Sequence, residues 1–374
     1  MSPAVARPAP LTSPPRIARV DTAIVRLPLE RPVITPLHHI LAVDTVAVTL
    51  HADDGTRGVA WLWCFGEARA RVLEAAVRDL AAFVVGADPR ETATLWAKLF
   101  RESNFLGRAG ATMIAQSALD TACWDVKARL VGEPLWRLLG GSRRPLPAYA
   151  GGLFLNDPLD VILAEARGYL AQGFRAIKMR AGAARLADDV ERVGAVRDAI
   201  GPDVALMIDV VQGWTADQAI RAGRELARFD LGWIEDPVAF DDHGGLAKVA
   251  AALDVPVCAG ENDYGLTGFA RLIGGGCIDI AMPDLQRVGG VSEWMRVAAL
   301  ADASRLPVTP HVFHEVSVHL ASAVPNATLI EHVPWWDRLW VEPLPVVDGT
   351  LTAPDRPGLG LAFDWDALDA LRLS

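Results

Sequence analysis

Three carboxylates, each at the end of a short apolar run, follow one another at nearly equal spacing along the chain. They are Asp209, Glu235 and Glu261. Burying a carboxylate at the end of an apolar strand costs free energy unless a partner compensates its charge, so three in succession indicate one shared partner. A hard divalent cation such as Mg²⁺, which takes oxygen ligands, fits that role. One such residue would more often cap the following helix, but three in consecutive units favour a metal site.

A histidine and an aspartate form a second candidate group. His311 follows the apolar segment 307–310, and Asp284 closes the strand-like segment before it, so adjacent strands could bring the two side chains together. A carboxylate on Nδ1 fixes the tautomer of an imidazole and raises the basicity of Nε2. We therefore predict that His311 is a general base oriented by Asp284. His314 and His319 follow at helical spacing and are expected to be structural.

Two cations, Lys178 and Arg180, alternate near the end of another strand-like segment. The two-residue period of a strand places both on one face. Ile177 and Met179 lie on the other face, and that face could point to the interior of the fold equally well. We expect the cations to face inward, where they would meet the acidic residues and bind an anionic substrate. The alternative, in which both cations are solvated on the outside of the fold, stays open.

A further carboxylate, Glu331, ends the last apolar strand of the series. It could be a salt-bridge partner at the rim. In a pocket crowded by other carboxylates its pKa could instead be raised, and the neutral acid would then donate a hydrogen bond.

The elements that must position these residues change character along the chain. Residues 17–63 alternate as strands and residues 66–139 have helical periodicity, which together indicate an α+β module. From about residue 147, short apolar strands alternate with amphipathic stretches, a pattern that predicts a (β/α) barrel with functional groups at the C-terminal ends of its strands. We therefore expect a disordered lead-in, 1–15; an α+β capping domain, 16–143; the barrel with the active site, 144–334; and a C-terminal segment returning to the capping domain, 335–374.

Composition narrows the class of partner. A net charge of −10 without a basic run argues against nucleic acid. No apolar stretch has the length of a membrane span, and the Pro-, Ala- and Ser-rich start lacks the apolar core of a signal peptide. The four cysteines are scattered without a C-x-x-C pair, which indicates neither a zinc site nor a disulfide framework. We expect a soluble, cytoplasmic protein that acts on a small molecule.

Beyond its lead-in, the chain resembles the enolase superfamily, and within it the mandelate racemase subgroup. The resemblance rests on specific motifs, together with the spacing of His311 and Glu331: Phe-Arg-Ala-Ile-Lys at 174–178, Ile-Glu-Asp-Pro at 234–237, Gly-Glu-Asn at 260–262, Met-Pro-Asp at 282–284, Gly-Gly-Val at 289–291, and Leu-Gly-Gly at 139–141.

This resemblance implies removal of the α-proton of a carboxylate substrate through an ene-diolate. It implies that the acidic triad binds Mg²⁺ and that His311 and Asp284 form the catalytic dyad. It further implies that Lys178 contacts the substrate carboxylate and that Glu331 hydrogen-bonds the enolate oxygen. We also expect a homo-oligomer.

Two positions depart from the family pattern. Arg180 stands where a second lysine usually serves as the base for the opposite face of the substrate, and a guanidinium stays protonated. Val211 stands where Asn is frequent. With one good base visible, we predict dehydration of a sugar acid, an aldonate or aldarate, to a 2-keto-3-deoxy acid. Racemisation or epimerisation of a 2-hydroxy acid is the alternative, and a non-catalytic barrel that binds a metal and an acid is a third.

The identity of the substrate is expected to depend on loops, which vary most among related proteins. The relevant ones are the capping loop Pro32–Leu41, with His38 and His39, and the loops of the barrel.

Overall fold

The computed structural model describes residues 14–34 and 39–373. Most of the lead-in expected at 1–15 lies outside the described residues, as does His38. His39 begins a strand and is exposed.

An antiparallel sheet and a set of helices form the first part of the structure. Strand β2 lies between β1 and β3. Alternate residues of these strands enter different cores: Ala60 and Leu62 pack with the helices, whereas Trp61 and Trp63 pack with the barrel. The sheet is therefore buried on both faces. Its strands and helices are β1 (Ile17–Ile34), β2 (His39–Ala52), β3 (Arg57–Cys64), α1 (Glu67–Ala81), α2 (Thr92–Glu102), α3 (Ala111–Leu130) and α4 (Leu135–Leu138).

The second part is a parallel sheet whose strands alternate with helices. Its hydrogen-bonded order is β10-β4-β5-β6-β7-β8-β9. The elements are β4 (Leu146–Gly152), α5 (Leu159–Ala171), β5 (Ala176–Arg180), α6 (Leu186–Ile200), β6 (Ala205–Asp209), α7 (Ala216–Leu226), β7 (Leu231–Glu235), α8 (His243–Ala252), β8 (Val257–Ala259), α9 (Gly265–Gly274), β9 (Ile280–Ala281), α10 (Leu285–Val288), α11 (Val291–Ala303), α12 (His314–Ala321) and β10 (Ile330–His332).

Single bridges at Val308 close this sheet into a barrel. Val308 pairs with Ala281 on one side and with Ala327 on the other. The sequence predicts a full strand at 307–310, but Pro307 and Pro310 have no backbone N–H to donate, so the pairing there is reduced to bridges. The (β/α) barrel with an α+β capping module, predicted from the sequence, is confirmed.

The C-terminal segment contacts both parts. Strand β11 (Thr350–Leu351) pairs with β4, and helix α13 (Trp365–Leu371) packs on β1. Between them, the Trp336 indole donates a hydrogen bond of 2.9 Å to the Thr45 hydroxyl of β2. The exact domain boundaries remain a prediction. Among the described residues, no helix combines the length and the apolar character that a bilayer crossing requires.

Candidate active site

The predicted site residues meet at the C-terminal ends of the barrel strands, because parallel strands end at the same edge of the sheet. In the register of the sheet, Arg180 of β5 is paired with Asp209 of β6, and Asp209 with Glu235 of β7. We call the whole group the charged floor; its members are Lys178, Arg180, Asp209, Glu235, Glu261, Asp284, His311 and Glu331.

Lys178 lies at the centre of the charged floor. Its Nζ is 2.5 Å from Glu235, 2.9 Å from Glu331 and 3.5 Å from Asp209, and its side chain is 2% exposed. Burial alone would lower the pKa of Lys178, but Glu235 and Glu331 outweigh it and raise the pKa well above its ordinary value. Its ammonium is fully engaged by carboxylates, so contact with a substrate carboxylate remains a prediction.

Arg180 faces the same side as Lys178 and forms an ion pair with Asp209. The other Asp209 oxygen accepts a hydrogen bond of 2.9 Å from the Val211 backbone N–H. Ile177 and Met179 lie instead in the apolar core that the barrel shares with its helices. The inward orientation of the two cations is therefore the one that the structure adopts.

His311 contacts two carboxylates, one through each ring nitrogen. Nδ1 is 2.7 Å from Asp284 and Nε2 is 3.1 Å from Glu261. Burial would lower the pKa of His311, but Glu261 and the hydrogen bond with Asp284 raise it to about 9. The predicted base therefore has its orienting carboxylate on the expected nitrogen.

The pKa of Glu331 is lowered in this structure, which contradicts the expectation of a raised pKa. Burial would raise the pKa of Glu331, but Lys178 and then His311 lower it to about 2. Its Oε2 also accepts a hydrogen bond of 2.9 Å from the Val312 N–H. The Glu331 carboxylate thus acts as a hydrogen-bond acceptor for Val312 and as the partner of Lys178.

The charge balance of this centre fits a divalent cation. The centre contains five carboxylates that form ion pairs: Asp209, Glu235, Glu261, Asp284 and Glu331. The Lys and Arg side chains that pair with them are three: Lys178, Arg180 and Arg287. The carboxylates outnumber the positive charges even when His311, whose pKa is raised to about 9, is counted as a fourth, so the centre attracts a further cation. The acidic triad offers oxygen donors only, which is the ligand type that this hard cation selects.

Several contacts of the site were not singled out from the sequence. The Trp233 indole donates to Glu235 at 3.0 Å, and Asn262 donates to Glu261 at 3.1 Å. Arg287 lies 3.5 Å from Asp284 and donates to the Glu261 carbonyl. The strand period could have revealed Trp233, which is two residues before Glu235. No sequence signal distinguishes Arg287 from an ordinary helix cation.

A cavity of about 200 Å³ opens over the charged floor. It is also lined by aromatic side chains that we call the aromatic wall: Trp63, Phe65, Phe154 and Trp335. Trp63 packs against Phe65 and Trp335 with ring centroids 5.1 and 5.5 Å apart. Val33 and Ile40, which flank the undescribed part of the predicted capping loop, also line the cavity.

The capping sheet is attached to the barrel beside this cavity. The Gln286 side chain accepts a hydrogen bond from the Trp63 N–H at 3.1 Å and donates one to the Trp63 carbonyl at 3.3 Å. Gln286 lies two residues beyond Asp284. The position of Trp63 in the aromatic wall is thus coupled to the segment that carries Asp284.

These features define a carboxylate-rich site beside the aromatic wall in a capped (β/α) barrel. Residues 18–140 match the N-terminal domain of the mandelate racemase/muconate lactonizing enzyme family, and residues 161–367 match the enolase C-terminal domain-like family. The chain belongs to this family of the enolase superfamily, as its motifs indicated.

Individual relatives are similar along nearly the whole chain. A 3,6-anhydro-alpha-L-galactonate cycloisomerase of Streptomyces coelicolor is 36% identical, with 95% of this chain and 99% of that protein covered. An L-talarate/galactarate dehydratase of Salmonella typhimurium is 34% identical, with 94% and 90% covered. A crystal structure of an enolase from Bradyrhizobium, complexed with magnesium and mandelic acid, has a TM-score of 0.93 at 33% identity and covers 97% of this chain and 100% of that one.

Proposed function

We propose that this protein removes the α-proton of a carboxylate substrate with the help of Mg²⁺, and that the reaction is the dehydration of a 2,3-dihydroxy acid of the sugar-acid class to a 2-keto-3-deoxy acid. The observation that carries the proposal is the single good base of the charged floor: His311 has an orienting carboxylate, whereas Arg180 is a guanidinium paired with Asp209.

Asp209, Glu235 and Glu261 would hold the cation. When bound, Mg²⁺ would act as a Lewis acid that stabilises the charge of the ene-diolate. It would also replace Lys178 as the counter-charge of Asp209 and Glu235, which lie 3.5 and 2.5 Å from the ammonium. Lys178 would then be available to the substrate carboxylate, the role that the resemblance implies.

His311 would take the α-proton from C2 through Nε2, while Asp284 holds Nδ1. The C3–O bond then breaks, and the imidazolium returns its proton to the departing hydroxide, so that water leaves. The resulting enol takes a proton at C3 and becomes the 2-keto acid. One residue can serve both proton transfers, and dehydration therefore needs no base on the second face.

Incubation with candidate acids in D₂O tests this reaction. A dehydratase should accumulate 2-keto acid with deuterium at C3. A racemase should place deuterium at C2 and return both configurations without keto acid. Interconversion of two C2 epimers without keto acid would overturn the dehydratase assignment, and release of neither product from a broad set of acids would overturn the proposed chemistry.

The Arg180→Lys variant is the matched test of the missing second base. It keeps the positive charge beside Asp209 but replaces a group that stays protonated with one that can lose a proton. If the absence of a second base sets the outcome, the variant should gain C2 exchange that the wild type lacks. Equal C2 exchange in both proteins would contradict this explanation.

Racemisation of a 2-hydroxy acid is the second candidate, and the aromatic wall favours it. A sugar acid needs a hydrogen-bond partner for each buried hydroxyl, since an unmatched one costs about 1–3 kcal/mol. Trp63, Phe65 and Trp335 offer mainly apolar surface, and the enolase from Bradyrhizobium was crystallised with an aromatic hydroxy acid. A substrate screen should therefore include 2-hydroxy and 2,3-dihydroxy acids with apolar ends, such as 3-phenylglycerate, beside aldonates and aldarates.

A further inference from the structure

A second buried polar cluster, which shares no residue with the charged floor, lies where helix α12 begins. His314 and Glu315 belong to the first turn of this helix, and Asp337 belongs to a 3₁₀ turn at Asp337–Leu339. One ligand atom of each residue lies within 4.8 Å of the others. His314 is fully buried and Glu315 is 1% exposed, while Asp337 is partly exposed.

The cluster contains buried polar atoms that lack a hydrogen-bond partner among the described residues. They are both ring nitrogens of His314, Oε2 of Glu315 and Oδ1 of Asp337. His314 Nδ1 is 3.5 Å from Glu315 Oε2, which exceeds a normal hydrogen-bond length, and the Val333 backbone near the ring makes no bond of regular geometry. Buried polar atoms in native proteins are almost always satisfied, so this concentration calls for an occupant.

We propose that His314, Glu315 and Asp337 bind a divalent transition-metal ion, such as Zn²⁺, at a site separate from the active centre. One imidazole nitrogen and two carboxylate oxygens suit Zn²⁺, Co²⁺ or Mn²⁺ better than Mg²⁺, which prefers oxygen alone. Ligand atoms bound tetrahedrally to one ion at about 2.1 Å are about 3.4 Å apart, so the longest separation in the cluster would have to shorten by about 1.4 Å to complete the site.

The surrounding charges support this assignment. Burial raises the pKa of Glu315 to about 7, and burial together with Glu315 raises that of Asp337 to about 7; no Lys or Arg of the described chain offsets either shift. Burial lowers the pKa of His314 to about 3, which keeps its imidazole neutral and able to bind a metal. The other oxygen of Glu315 accepts a hydrogen bond from the Trp340 indole at 3.1 Å, which orients the carboxylate.

The ion would attach the turn at Asp337 to α12, immediately beyond Trp335 of the aromatic wall. Its role would be structural, because none of the three side chains lines the cavity over the charged floor. The proposal does not depend on which reaction the active centre catalyses.

Cobalt binding tests the proposal. The protein is stripped of metal by a chelator, saturated with Mg²⁺ to occupy the acidic triad, and titrated with Co²⁺. About one tightly bound Co²⁺ per chain is expected by elemental analysis, with visible absorption of a coordinated ion and an imidazole nitrogen in its X-ray absorption spectrum. No Co²⁺ retained in excess Mg²⁺ would overturn the site and leave a shared proton or a water as the occupant.

Two variants make the test specific to this cluster. Asp337→Asn, at a partly exposed position, should weaken Co²⁺ binding at least tenfold, whereas Asp302→Asn, which removes an exposed carboxylate from α11, should leave it unchanged. Glu235→Gln/Glu261→Gln, which disables the acidic triad, should still bind about one Co²⁺. Co²⁺ binding that persists in Asp337→Asn, or that is lost only with the triad, would place the ion elsewhere and refute the proposal.

Discussion

The charged floor and the aromatic wall line the same cavity but are stabilised by opposite means. On the floor, buried charges are compensated by neighbours, as when Lys178 contacts three carboxylates within 3.5 Å. The wall is held by ring packing, with Trp63 between Phe65 and Trp335. Removing one member of the floor leaves a buried charge uncompensated, whereas removing a ring loses contact area. Chemistry should therefore depend on the floor, and substrate preference on the wall.

The largest effect should come from Glu235, a fully buried floor residue that contacts Lys178. Glu235→Gln keeps the size of the side chain but removes a negative charge that Lys178 and the expected cation share. We expect kcat to fall by at least about 10²- to 10³-fold, since a stabiliser of developing charge is lost. Mg²⁺ affinity, measured by calorimetry, should fall with it. Glu225→Gln on the exposed face of α7 is the control, and equal activity in the two variants would remove Glu235 from the site.

Replacing His311, the proposed base, should have an effect of similar or smaller size and a distinct pH dependence. His311→Asn should lower kcat by about 10²- to 10³-fold. Because the neutral imidazole is the active form, wild-type kcat/KM should rise with pH through the pKa of His311, which the facing carboxylates raise to about 9. A cation bound to Glu261 would move that limb to lower pH, since it neutralises the nearest negative charge. If the rise of kcat/KM with pH is the same in His311→Asn as in the wild type, the group that titrates is another residue.

A change in the wall should alter affinity more than turnover. Trp335→Ala removes a ring that contacts Trp63 and Phe65, so KM for an acid with an apolar end should rise about tenfold or more, from the loss of about 1–3 kcal/mol of apolar contact. KM for a short hydroxy acid should change little. Trp365→Ala, an exposed tryptophan on α13, is the matched control. A tenfold fall in kcat with unchanged KM would contradict the division of roles.

The smallest predicted effect lies at the boundary between the two regions. Val211 has a φ of 49°, a left-handed conformation that is unfavourable for a β-branched side chain and that Asn tolerates well. Val211→Asn should raise the free energy of unfolding by about 1 kcal/mol in chemical denaturation. Val211→Thr adds a polar group but keeps the branch, so it should not. Equal stabilisation by both variants would mean that the missing polar group at this position, and not backbone strain, lowers the free energy of unfolding of the native protein.

Local patterns in the sequence were sufficient to predict the members of the charged floor. Each of these side chains ends or follows a parallel strand, and the barrel topology brings strand ends to one edge regardless of the loops between them. The same reasoning could not fix the protonation of Glu331, because that depends on Lys178 and His311, residues from distant parts of the chain. It also treated His314 as an ordinary structural histidine, since its missing partners are visible only in three dimensions.

The sequence by itself determined the fold class, the acidic triad and the dyad, because strand period and strand-end position are local properties of the chain. Only the tertiary structure decided which side chains line the rest of the cavity. Trp63 comes from the capping sheet, Phe154 from the loop after β4 and Trp335 from the C-terminal segment. They meet because Gln286 of the barrel binds the capping sheet at Trp63, and because Trp336 of the C-terminal segment binds the same sheet at Thr45. Long-range packing of this kind leaves no periodic signal in the sequence. For this reason the sequence predicts a type of chemistry but not the substrate.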